Sequence, residues 1–86
     1  MNTNYKDYPF TANGVKFISR INADSPFAGS LAKLPTEMVT AMNVQAVSEM
    51  IGDASLFTRD ELLAELERVN DGGTHAFIML ADEVAN

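Results

Sequence analysis

Asp7-Tyr8-Pro9-Phe10-Thr11-Ala12-Asn13-Gly14-Val15-Lys16-Phe17-Ile18-Ser19-Arg20-Ile21 is the stretch whose reading decides the fold. Two runs of β-forming residues flank Asn13-Gly14. A type I′ turn needs φ > 0 at both central positions, and these two residue types tolerate it best. The stretch therefore reads as a β-hairpin, and its side chains choose the register. A two-residue turn pairs Ala12 with Val15, Phe10 with Phe17, Tyr8 with Ser19 and Asp7 with Arg20. That register gathers the aromatic rings on one face and matches opposite charges on the other. A longer turn with a bulge would set Phe10 against Lys16 and lose both agreements. Pro9 has no N–H to give a ladder, so the first strand is expected at an edge, with the second, Val15 to Ile21, more central.

The 86 residues fit one domain, residues 1–86. Folding a chain of this size buries only roughly 60 to 65% of the surface it exposes unfolded. The chain has no cysteine, which excludes disulfides, thiolate metal sites and a cysteine nucleophile, and makes a cytoplasmic setting the simpler expectation. Its start, Met1-Asn2-Thr3-Asn4-Tyr5-Lys6-Asp7, is neither basic nor apolar and does not read as a signal peptide. No stretch approaches the roughly 18 apolar residues of a membrane span, so a soluble protein without membrane contact is expected.

Beyond the hairpin the pattern turns helical. Ser25-Pro26 sets a capping residue before a proline suited to the first helical position and predicts a short helix from Pro26 to Lys33, with Gly29 inside it. After Pro35, the residues Val39, Met42, Ala46, Val47 and Met50 recur at helical spacing and predict an amphipathic helix to about Ile51, with a break at Asn43 as an alternative. Gly52-Asp53 ends it. Thr58-Arg59-Asp60-Glu61 has the form of a capping box and opens the clearest helix, whose buried stripe is Leu62, Leu66 and Val69 with Leu63 on the flank. Asn70-Asp71-Gly72-Gly73 stops it. The last element, His75 to Ala81, reads as a strand. An α+β fold follows, in which an N-terminal hairpin and the C-terminal strand form a small three-stranded sheet with two or three helices on one face.

Charge is uneven along the chain, whose net value is −6. Residues 1–33 carry Lys6, Lys16, Arg20 and Lys33 against Asp7 and Asp24. Residues 34–86 carry only Arg59 and Arg68 against Glu37, Glu49, Asp53, Asp60, Glu61, Glu65, Glu67, Asp71, Asp82 and Glu83. On a helical wheel Asp60, Glu67 and Asp71 lie opposite the leucines, while Glu61 and Glu65 form a flank with Arg68 close to both. A surface of this kind repels nucleic-acid backbone and attracts basic partners; it also keeps a small domain soluble. The C-terminal strand is apolar on both faces. With helices on one face only, Ile78 and Leu80 are expected to join Ile18 as an uncovered apolar patch.

Catalytic constellations are lacking. A single histidine, His75, stands at the start of a strand, and with no cysteine a transition-metal site would need carboxylates alone. There is no Gly-x-Ser-x-Gly elbow, P-loop or EF-hand spacing. Asp82 and Glu83 are adjacent, and on an extended chain they point apart. No enzyme activity, cofactor or metal is expected. A helix-turn-helix reader is disfavoured too, because its second helix would bring Asp60, Glu61, Glu65 and Glu67 to phosphate; no direct nucleic-acid binding is expected. Met38, Met42 and Met50 could line an adaptable docking groove, although at this spacing core filling is commoner.

Two functions from different classes remain. One is a small protein-binding inhibitor or adaptor whose acidic helix (Asp60, Glu61, Glu65, Glu67, Asp71) engages a basic, nucleic-acid-binding surface of a protein partner. In composition the chain resembles the small acidic cysteine-free products by which phages block host defence nucleases, anti-CRISPR and anti-restriction proteins among them; no shared motif underlies that likeness. The other is a structural or assembly subunit that forms a homo-oligomer through Ile18, Ile78 and Leu80.

Overall fold

Asn13 and Gly14 take φ values of 55° and 79°, the pair of left-handed conformations that a type I′ turn requires, and the chain reverses there. The computed structural model describes residues 4–26, 28–71, 73 and 75–84. Strand β1 (Tyr5–Ala12) pairs antiparallel with β2 (Val15–Asn22) in the expected register, Phe10 opposite Phe17 and Asp7 opposite Arg20. Strand β3 (Ala76–Leu80) adds to the free side of β2, giving a three-stranded antiparallel sheet in the order β1-β2-β3. With its helices the protein has the expected α+β architecture.

Antiparallel ladders alternate hydrogen-bonded and non-hydrogen-bonded residue pairs. Ala23 N–H donates to the Asn4 carbonyl at 2.9 Å. Counting on from that pair, Phe10–Phe17 is hydrogen-bonded, while Asp7–Arg20 and Pro9–Ile18 are not. Cα atoms and side chains come closest in non-hydrogen-bonded pairs. Arg20 accordingly reaches Asp7 with two bonds, Nε to Oδ1 at 2.8 Å and Nη2 to Oδ2 at 3.0 Å. The same parity turns the nitrogen of Pro9 toward the outer edge of β1, where its missing N–H costs no ladder bond.

On the other face of the hairpin the Phe10 and Phe17 rings stack with centroids 5.3 Å apart. They begin a core that includes Ala12, Val47, Ala54, Leu62, Leu66, Ile78 and Leu80. Two helices cover it, α2 (Thr36–Met50) across β1 and α3 (Arg59–Asn70) across β3. The short α1 (Ala28–Ala32) precedes them and a four-residue α4 (Ala81–Val84) follows β3.

Several expectations change in detail. The first helix is shorter than Pro26 to Lys33. Ser25 does not cap it through its side chain, for Oγ is buried without a partner. Phe27, within the expected helix, and Gly72, within the expected helix stop, lie outside the described residues, as do residues 1–3. Helix α2 runs unbroken through Asn43, because Asn43 stands between the buried Val39 and Val47 at intervals of four and packing on both sides holds the turn. The helix is also rolled away from the expected stripe. Val44 and Ile51 pack on the core, whereas Met42 and Met50 are 49% and 41% exposed. Core filling by the methionines is thereby overturned: the apolar arc of α2 is wider than the surface β1 offers it, and the β-branched side of the arc is the one buried. Gly52, at φ 97°, ends the helix as expected.

The link from α2 to α3 holds a 3₁₀ turn (Ala54–Leu56) that the sequence reading lacked. Asp53 caps it, accepting from the Ser55 N–H at 3.0 Å and its hydroxyl at 2.6 Å. The Asn13 side chain holds this turn from the hairpin, Oδ1 accepting the Ala54 N–H at 3.1 Å. Ala81 belongs to α4 rather than to β3, and Asp82 and Glu83 follow it into helix rather than lying extended.

Hydrogen bonding to Arg20, with a smaller contribution from its charge, outweighs burial and holds the Asp7 carboxyl below its ordinary pKa of 3.8. A depressed carboxylate contributes stability that is full above the unfolded pKa and is lost as pH falls through the folded one. Urea unfolding should find Asp7→Asn less stable than the parent at about pH 7 and level with it at about pH 2; an equal gap at both would remove the ionised pair from hairpin stability.

Candidate functional site

The acids of α3 divide by what they do for the fold. Thr58 and Glu61 form the capping box foreseen from the sequence: Thr58 Oγ1 accepts the Glu61 N–H at 3.2 Å, and Glu61 Oε1 accepts the Thr58 N–H at 2.8 Å. Glu65 pairs with Arg68 at 2.8 Å, and the same guanidinium donates to the Met50 carbonyl at 3.0 Å, tying α3 to the end of α2. The hydrogen bond to Glu65, with that carboxylate's charge behind it, raises the Arg68 pKa further. Glu61 and Glu65 are thus engaged in holding the helix.

Asp60, Glu67 and Asp71 are exposed and form no ion pair among the described residues. At 100° and 1.5 Å per residue they fall within about 40° of one another along about 16 Å of helix. Asp60 lies in the first turn, where the helix dipole favours an acid. Glu67 and Asp71 lie at the other end, where the dipole disfavours one. Helix stability explains the first acid and not the other two.

The expected patch of Ile18, Ile78 and Leu80 does not exist. Ile78 and Leu80 are only 9% and 5% exposed and belong to the core. The register sets Leu80 opposite Phe17 and Ile78 opposite Ser19, so both share the helix-covered face. Ile18 stands opposite Met79, and Arg20 opposite Phe77. The open face of the sheet therefore carries Ile18, Phe77 and Met79, all half-buried, beside the Asp7–Arg20 pair.

The outer edge of β3 is closed as well. The Asn22 N–H donates to the His75 carbonyl at 2.7 Å, and alternation from that pair turns the N–H and C=O of Ile78 away from β2. Asn70, the last residue of α3, takes both: its Oδ1 accepts the Ile78 N–H at 3.0 Å and its Nδ2 donates to the Ile78 carbonyl at 2.8 Å. An amide side chain thus stands where a fourth strand would bond. With Pro9 on β1, both edges of the sheet are blunted at mid-strand.

A cleft opens between the helical layer and the sheet. Its floor is Ser19, Ile21 and Ile78; α1, α2 and the end of α3 wall it, with Met42 and Met50 on the α2 side; its volume is about 570 Å³. None of the residues lining it is charged. In the sequence alone a methionine groove ranks behind core filling, and Asn70 as an edge cap is not legible, because a residue at a helix end reads as a stop signal. Near the other end of α3, Arg59 bonds Asp82 with two contacts of 3.2 Å, which holds the Asp82 carboxyl below its ordinary pKa. Among the described residues no group of three His, Asp or Glu side chains is placed to hold a metal ion, and no helix is long and apolar enough to cross a membrane.

Compared with known proteins, the chain matches no family model, no curated protein and no solved structure.

Asn70→Ala strips both partners from Ile78 beside the core. Leaving such groups unsatisfied costs about 1 to 3 kcal/mol. Urea denaturation should show a loss of that size; parent-like stability would mean that water replaces the amide.

Proposed function

We propose that the protein is a small acidic binding module, an inhibitor or adaptor that engages a basic surface of a protein partner, of the kind that otherwise holds nucleic acid. The observation that carries this reading is the stripe of Asp60, Glu67 and Asp71, unpaired along α3 with two of its three acids where the dipole opposes them. Acids kept at a cost to the helix call for a use outside it. The stripe is held rigidly, since the capping box fixes one end of α3 and Asn70 pins the other to β3. A preformed charged surface speeds encounter with an opposite one and rejects like charge, including phosphate backbone. A cytoplasmic setting, in keeping with the lack of cysteine, belongs to the same reading.

The test separates binding acids from structural ones. In the Glu67→Lys, Asp71→Lys variant, a partner captured by the parent chain from its own cell should be lost, while thermal stability stays near the parent's because lysines suit the helix C-terminus. Parent binding should weaken with salt. Undiminished capture by the variant would remove the stripe from the function. Glu61→Lys should instead lower stability through the lost box.

A second reading, self-association as an assembly subunit, rests on the half-buried Ile18, Phe77 and Met79, which share the sheet face opposite the core. If it holds, the protein sediments as an oligomer and Phe77→Glu yields a folded monomer. A parent that stays monomeric at high concentration counts against it.

A further inference from the structure

We infer that the outer edge of β3 is a pairing surface for β3 of a second copy of this chain, and that the Asn70 side chain is the latch that holds it shut. This goes beyond the basic-partner reading and does not depend on it.

The latch matches the strand it excludes. Ile78 turns its N–H and C=O outward, and the Asn70 amide takes both, accepting at 3.0 Å and donating at 2.8 Å. A neighbouring antiparallel strand offers the same donor and acceptor from a single residue of a hydrogen-bonded pair. The turn after Asn70 covers the edge further along. Gly73 N–H donates to the Asn70 carbonyl at 2.9 Å. A Cβ at residue 73 would stand 3.0 Å from that carbonyl oxygen and 3.3 Å from the oxygen of Ala76, which faces outward by the same alternation as Ile78. Glycine lets the backbone close on the strand. The helix end that carries the latch is weakly tied, since the Asp71 N–H reaches the Arg68 carbonyl only at 3.4 Å.

What the latch hides is complementary to itself. Strand β3, Ala76-Phe77-Ile78-Met79-Leu80, has no charge, no proline and no glycine, the composition that pairs with its own kind when left open at an edge. Antiparallel pairing centred on Ile78 sets Ile78 against Ile78 of the copy, each giving and taking the bonds that Asn70 now fills. Ala76 then faces Leu80, whose backbone groups also point outward, and Phe77 faces Met79 on the open sheet face. The pair is two-fold symmetric and closes as a dimer, because Pro9 blunts the far edge of each sheet. The ionisable groups flanking β3 in the chain are Arg68, Asp71 and His75 before it and Asp82 and Glu83 after it. With Arg68 bonded to Glu65 and Asp82 to Arg59, acid is in excess at both ends. Like charge therefore opposes pairing and salt favours it, the reverse of its effect on a basic partner.

The test uses the full chain and its Asn70→Ala and Gly73→Ala variants, each followed by sedimentation and by nuclear Overhauser contacts in a mixture of isotope-labelled and unlabelled protein. Circular dichroism reports folding. The parent should show no contact across the β3 edge. Asn70→Ala should associate roughly tenfold more tightly or better, because pairing returns partners to both Ile78 groups, and more tightly again with added salt. Its mixed dimers should show a strong contact between the Hα protons of Phe77 in one copy and Met79 in the other, a non-hydrogen-bonded pair. Gly73→Ala should do the same by forcing the turn off the strand. Adding Ala76→Pro to Asn70→Ala removes an outward N–H and should restore the parent's weak association. Folded variants that stay monomeric at millimolar concentration, or that associate without the Phe77–Met79 contact, as through the open sheet face, overturn the inference. So does a parent already paired through this edge. Loss of folding in both variants overturns it too, for the turn is then a support of the fold rather than a latch. None of these outcomes bears on binding by the acidic stripe.

Discussion

Parity of the strand register is the constraint on which the rest of this structure depends. Side chains alternate between faces along a strand, so a slip of one residue exchanges the inside and the outside of the whole sheet. The two-residue turn at Asn13-Gly14 fixes that parity for β1 and β2. Phe10 and Phe17 then stack beneath the helices, Asp7 and Arg20 meet on the open face, and Pro9 turns its nitrogen to the edge. Asn13 does more than permit the turn, because its side chain also holds the Ala54 N–H and so ties the link between the two main helices to the hairpin. The turn organises the helical layer as well as the sheet.

Where chemistry was local, the sequence was readable. The hairpin register followed from turn residues and facing pairs within sixteen positions of each other, and the capping box at Thr58 and Glu61 from a spacing of three. The faces of β3 were not readable in this way. Phe77, Ile78, Met79 and Leu80 are all apolar, so no alternation marks the inner side, and the choice is made by pairing with β2, more than fifty residues away in the chain. The roll of α2 was hidden for a related reason. Its apolar arc exceeds the surface available, and only packing decides that Val44 and Ile51 go in and Met42 and Met50 stay out.

The same limits shaped what could be said of the candidate site. A wheel projection places Asp60, Glu67 and Asp71 together, and all three are exposed. It does not show that Glu61 and Glu65 are engaged by Thr58 and Arg68, which leaves Asp60, Glu67 and Asp71 as the acids of the face without such a bond. The cleft needs elements from both halves of the chain, Ile21 and Ile78 below and Met42, Met50 and Asn70 beside them. No short stretch of sequence contains it. Asp53-x-Ser55 did carry a local signal, an Asx-type cap, that would have found the 3₁₀ turn.

Nuclear Overhauser contacts between backbone Hα protons across the sheet test the register most directly, because they are strongest in non-hydrogen-bonded antiparallel pairs. Strong contacts are expected between Pro9 and Ile18 and between Ser19 and Ile78. A strong contact between Ile18 and Ile78 would contradict this register, for it would return Ile78 and Leu80 to the open face and dissolve both the core and the cleft as described.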